Sequence, residues 1–103
     1  MKLGITLPGP ELGPDPAVLG EFTWRVEALG YHHVVVYDHV LGVNLASRPG
    51  WDGTYSAEDA FHDPFVLFGY LAARTTSIEL SVQVLILPQR QTAMVAKQAA
   101  SLD

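Results

Sequence analysis

Val34-Val35-Val36-Tyr37-Asp38-His39 is the run whose reading decides the fold. Three successive β-branched residues favour extended backbone, and the run is too short for a helix. Apolar on both faces, it suits a strand of a parallel sheet covered on both sides. It ends in a carboxylate and an imidazole. In parallel α/β folds, ligands gather where strands end and loops begin.

Upstream of this run, Leu19, Phe22, Val26 and Leu29 recur at helical spacing and define one apolar face. Asp15-Pro16 opens that helix. Asp offers an acceptor to the orphan N–H groups, and Pro suits the first helical position. Gly30 follows as a left-handed stop. Earlier still, Leu3 to Leu7 reads as a short buried strand, followed by a loop rich in Gly and Pro (Pro8, Gly9, Pro10, Gly13, Pro14).

Downstream, residues 40–62 carry no persuasive period. A structureless stretch longer than about 12–15 residues in a compact domain is usually functional or disordered. The aromatics here favour a folded or ligand-ordered loop. Trp51, Tyr55 and Phe61 either line a pocket over a flat ring or form an internal mini-core. Asp63-Pro64 then repeats the Asp-Pro helix start, with Leu67, Tyr70, Leu71 and Arg74 on one face and Thr75-Thr76-Ser77 as its end. Ile78 to Leu87 reads as a third strand stopping at Pro88. Thr92 is placed to cap a last helix, Ala93 to Leu102, with Val95, Ala99 and Leu102 inward. The order β-α-β-α-β-α implies parallel pairing and right-handed crossovers.

Composition narrows the function classes. The chain of 103 residues is at most one domain, and 49% hydrophobic with 17% charged is ordinary for a globular protein. Six Lys+Arg stand against eleven Asp+Glu, a net charge of −5, with no basic cluster, so nucleic acid is not an expected partner. With no cysteine, disulfides, thiolate metal sites and Cys nucleophiles are excluded. No run approaches the ~18 apolar residues of a membrane span. The N-terminal run ending at Pro8 is too short for a secretory core, and cytoplasmic residence is the expectation.

Asp38-His39 is the sharpest candidate for chemistry. A carboxylate and an imidazole at a strand's end can bind a heterocycle and move a proton near neutrality. They can equally cap backbone N–H groups and close a loop. His32-His33 lies at the amino end of the second strand and reads as surface or packing. His62-Asp63 reads as a helix cap. A metal site is not expected, because the first strand ends in Thr6-Leu7-Pro8-Gly9 rather than in a pair of histidine ligands. The glycines do not make a dinucleotide fingerprint, and neither the phosphate-loop pattern nor Gly-x-Ser-x-Gly occurs.

Gly4-Ile5-Thr6-Leu7-Pro8, then Val26 to Tyr31, then Val34 to Val40 resembles the opening of luciferase-like monooxygenases. Asp63-Pro64-Phe65, Ala72 to Thr76, Ile78-Glu79-Leu80, Val84 to Arg90 and Ala96 to Asp103 continue the likeness in order. The whole set is most similar to the branch using the deazaflavin coenzyme F-420. The resemblance implies a (β/α)8 barrel of the TIM type, of which residues 1–103 would form the first three βα units with a long loop at about 40–62. It implies FMN or coenzyme F-420 as cofactor, with Asp38 at the ring, His39 as active-site acid or base, and Thr6, Leu7, Gln83 and Val84 lining the ring. It also implies a non-prolyl cis peptide in the third strand, near Gln83-Val84. Two positions depart from the family's pattern. Gln83 stands where many relatives have a small residue, and Gln91-Thr92 where they often have Asn-Pro.

The expected function is hydride transfer or oxygen activation on a small organic substrate. Because three units leave a barrel open, the chain is expected to be an N-terminal part, with little activity of its own. The rival reading is a non-catalytic α/β module that self-associates, most simply as a homodimer, through its open sheet edges.

Overall fold

The two Asp-Pro pairs start helices for the reason their chemistry suggests. In the computed structural model, which describes residues 1–103, the Asp15 side chain accepts from the Ala17 N–H at 2.9 Å, and helix α2 runs Pro16–Ala28. Asp63 accepts from Phe65 and Val66 at 3.0 and 3.1 Å, and helix α3 runs Pro64–Ala72. A one-turn helix α1, Gly9–Leu12, precedes α2, and helix α4 spans Thr92–Leu102. Three parallel strands, β1 (Gly4–Thr6), β2 (His33–Val36) and β3 (Glu79–Val82), form one sheet in the order β1-β2-β3. This is the α/β arrangement expected of the first βα units of a luciferase-like barrel.

Register and burial together show which way each side chain faces. Ile5, Val34 and Leu80 share one row across the sheet, and Val36 pairs with Val82. These residues face the helices, where Leu19, Val26, Leu67, Phe68 and Leu71 complete the core. The alternate rows, Gly4/His33/Glu79 and Thr6/Val35/Ser81, lie on the opposite face and are mostly exposed. The expectation that β2 is covered on both sides is therefore corrected. Val34 and Val36 are buried and Val35 is only half-buried, because every helix packed against β2 lies on one side.

Several other expectations change. The Gly/Pro loop after β1 contains α1, because Pro10 sits in a first turn where its missing N–H costs nothing. The third strand stops at Val82 instead of Leu87, since the backbone beyond it leaves the ladder and turns through a 3-10 segment at Leu87–Gln89. Gln91, not Thr92, caps α4, its side chain accepting from the Met94 N–H at 2.7 Å. Leu29 is 76% exposed and takes no part in the core. Buried Thr23 fills that stripe, its hydroxyl donating to the Leu19 carbonyl at 2.9 Å. Helix α4 buries no residue fully.

Two glycines are required by geometry. Gly30 ends the α2 segment at φ +85°, a conformation L side chains avoid. A Cβ on Gly4 would meet the His33 ring at 1.9 Å, so the imidazole occupies its place beside β1 only because that position is bare.

The turn from α3 into β3 is organised by a residue from α2. The Glu27 carboxylate accepts from three successive backbone N–H groups, Thr76 at 2.9 Å, Ser77 at 2.6 Å and Ile78 at 2.9 Å, and from the Ser77 hydroxyl at 3.2 Å. The Ser77 N–H is foremost in holding this carboxyl below the ordinary glutamate range. A carboxyl depressed on folding stabilises the protein fully above its unfolded pKa, about 4.3, and that contribution is lost as pH falls through the lower folded value. Glu27→Gln is expected to cost about 1–2 kcal/mol in urea unfolding at pH 7, and much less near pH 3. A penalty that did not shrink on acidification would rule out the charged nest.

Candidate functional site

All three parallel strands release their chains at the same end of the sheet. One bond beyond the paired residues, the Leu7 N–H donates to the Val35 carbonyl and the Gln83 N–H to the Val36 carbonyl, both at 2.8 Å. Pro8, Tyr37 and Val84 then lead into loops. Thr6 and Gln83 are exposed there, and Val84 is 75% exposed although apolar. The peptide bond between Gln83 and Val84 is cis. The Leu7 side chain points the other way, into the core, so only its backbone reaches this end.

Asp38 occupies the centre of this end and is closed off from solvent. Its side chain has no exposure. Oδ2 accepts from the Ile86 N–H and from Arg90 Nε, each at 2.9 Å, and Oδ1 accepts from Arg90 Nη2 at 2.5 Å. The forked bond from Arg90 holds the carboxyl below the usual aspartate range, outweighing the opposing effect of burial. Arg90 in turn donates from Nη1 to Asp63 Oδ2 at 2.7 Å, and its guanidinium lies 5.7 Å from the Phe65 ring centroid. Its pKa is raised, first by the Asp38 carboxylate. One guanidinium thus ties together the end of β2, the segment after β3 and the start of α3. Neither Asp38 oxygen faces open space, so the implied ring contact finds no route through this carboxylate.

His39, the next residue, is half-buried in an aromatic cluster. Its imidazole stacks on Phe61 with centroids 4.2 Å apart and meets the edge of Tyr55 at 4.9 Å, while Tyr55 and Phe61 meet edge-on at 4.8 Å. Two of the three loop aromatics therefore form a mini-core around His39. Trp51 stays outside it, packed over Gly53. The 40–62 loop is folded. The Ala57 N–H donates to the Val43 carbonyl at 2.9 Å, Asn44 caps a 3-10 turn at Leu45–Ser47, and Asp59 accepts from Ser56 at 2.7 Å. His62 joins the neighbouring loop, its Nε2 lying 3.2 Å from the Pro14 carbonyl oxygen.

The structure brings Thr6, His39, Gln83 and Val84 to one end of the sheet, with Asp38 beneath them. His33 stands apart on the bare sheet face beside Gly4, and no group of three or more His, Asp or Glu is placed to hold a metal ion. A groove of about 550 Å³ lies elsewhere, between α3, β3 and α4, and no candidate site residue lines it. Sequence reasoning passed over Arg90 as a functional residue. The available signal was an arginine two residues after Pro88, in a chain with only six Lys and Arg residues.

The family model for luciferase-like monooxygenases matches residues 1–103. The chain belongs to the luciferase-like monooxygenase family. A search of curated proteins finds no match. Luciferase-like proteins generally use flavin or deazaflavin cofactors. The residues at this end would offer such a ring a small polar contact at exposed Thr6 and an apolar one at exposed Val84. They do not form a phosphate cradle around Arg90, whose guanidinium is spent on Asp38 and Asp63.

Proposed function

We propose that the protein is a luciferase-like oxidoreductase that holds a flavin or deazaflavin ring, from FMN or coenzyme F-420, against the carboxyl ends of its strands and acts on a small organic substrate. The observation that carries this reading is the convergence of exposed Thr6, Gln83 and Val84 with half-buried His39 at that one end. When bound, the reduced ring supplies a hydride, or electrons for oxygen. Val84 and the Gln83–Val84 backbone would back the ring from just beyond β3, and Thr6 would meet it from β1. His39 gives or takes a proton at an imidazole nitrogen. Phe61 and Tyr55 hold the imidazole in place and exclude water from one side of it. The folded 40–62 loop covers the substrate.

Titration with FMN and, separately, with oxidised coenzyme F-420 tests this, following the fluorescence of each. Saturable quenching by one of them is expected. A protein folded by circular dichroism that quenches neither overturns the reading. With the ring that binds, His39→Ala is expected to keep affinity within about threefold and to lose about 10²–10⁴ in turnover, the range for removing a general acid or base.

A further inference from the structure

We propose that Arg90 is a positioning residue of this site, gripping Asp38 and so fixing where His39 and the segment 83–87 stand relative to each other. The proposal rests on the functional reading only for what the site does; the positional claim is measured separately.

The geometry supports an indirect role. Arg90 presents Nε and Nη2 to the two Asp38 oxygens and Nη1 to Asp63, so three donors of a rigid planar group are fixed at once. Asp38 Oδ2 also receives the Ile86 N–H. Asp38 adjoins His39, and Ile86 lies shortly after the Gln83–Val84 bond. One carboxylate therefore couples the imidazole's backbone to the segment that backs the proposed ring. The side chains of Asp38 and Arg90 are 0% and 10% exposed, so neither reaches a ligand itself.

A purely stabilising role explains less. Replacing a buried ion pair by apolar groups is often neutral or favourable, and the best-attested use of such pairs is to specify one geometry. The sheet and helices already share an apolar core that contains neither residue. Asp63 caps α3 through backbone N–H groups that do not involve Arg90.

The test compares Arg90→Met with the double variant Asp38→Asn/Arg90→Met. The single variant strands a buried carboxylate and is prone to unfold. The double variant removes both charges and leaves an amide oxygen to accept from Ile86. Two readouts are taken on the folded double variant. The first is NMR of the His39 ring protons, which sense the Phe61 and Tyr55 rings, together with the amide signals of 83–87. The second is kcat and KM with FMN or coenzyme F-420, whichever binds the unaltered protein. The expected result is displaced His39 and 83–87 signals with core signals unmoved, and kcat lower by about 100-fold, as for a misplacement near 1 Å. Unchanged His39 and 83–87 signals in a folded double variant overturn the proposal, as does an unchanged kcat. If neither cofactor binds the unaltered protein, the functional reading falls and the NMR result still decides the positional claim.

Discussion

Arg90→Ala is expected to destabilise the protein by about 3–5 kcal/mol at pH 7, the cost of leaving a buried charge without its partner. Domains of this size are stable by roughly 5–15 kcal/mol, so a large share of the total is at stake. The pH dependence carries the sign. In the unaltered protein the Asp38 carboxyl is depressed, chiefly by the Arg90 hydrogen bond. Its contribution is complete above the unfolded aspartate pKa, about 3.9, and is lost as pH falls through the folded value. Without Arg90 the enclosed carboxyl favours its neutral form, so its pKa rises above the unfolded value and protonation relieves the folded state. The two stability curves therefore converge on acidification. Urea denaturation from pH 7 to pH 4 measures this, and a penalty under about 1 kcal/mol, or one independent of pH, would show the pair to be incidental.

Leu71→Ala is expected to cost about 2.7–5.0 kcal/mol, the range for deleting a fully buried leucine side chain. Leu71 is 0% exposed and belongs to the core cluster that also holds Val34 and Val36 of β2. The paired control is Leu29→Ala. Leu29 lies on the periodic face of α2 by spacing but is largely exposed, and surface changes usually stay within about 0.5 kcal/mol. Similar costs for the two leucines would refute this division of the core.

The contrast between those leucines marks where local pattern stopped being informative. Asp15, Asp63 and Gly30 were legible because each acts on its own few residues: a cap satisfies N–H groups two or three positions on, and a glycine permits its own φ. The βα order was legible because period and β-branching are properties of short windows. Leu29 was misplaced because spacing identifies a face and not where along the helix the covering layer ends. The length of β3 was misjudged because the backbone at Ile86 bonds to Asp38, far away in sequence, instead of continuing the ladder. The Glu27 nest and the Arg90 grip were invisible for the same reason. Each joins residues about 50 apart through side-chain atoms that leave no period.

The candidate site was legible unevenly. Asp38-His39 stood out as a pair, and the resemblance led to Gln83-Val84 and its cis peptide. What the pair does was not readable from its letters. Adjacent residues near a strand's end face different surroundings, and here the carboxylate turns inward to an arginine while the imidazole turns to two aromatic rings. Leu7, expected at the ring, follows the strand's alternation into the helix layer.

The hydrogen bond from Ala57 to Val43 closes the 40–62 segment at its own neck, so its tip, including Trp51 and Arg48, hangs from a joined base. Lengthening such a closed loop is cheap, only about 0.6 kcal/mol for each doubling. Insertions and deletions at the tip leave His39 and Phe61, which lie outside the 43–57 closure, anchored on the near side. The tip is thus an interchangeable cassette. Evolution, or a protein engineer, can graft new tips to vary what is admitted while the scaffold beneath them goes unaltered.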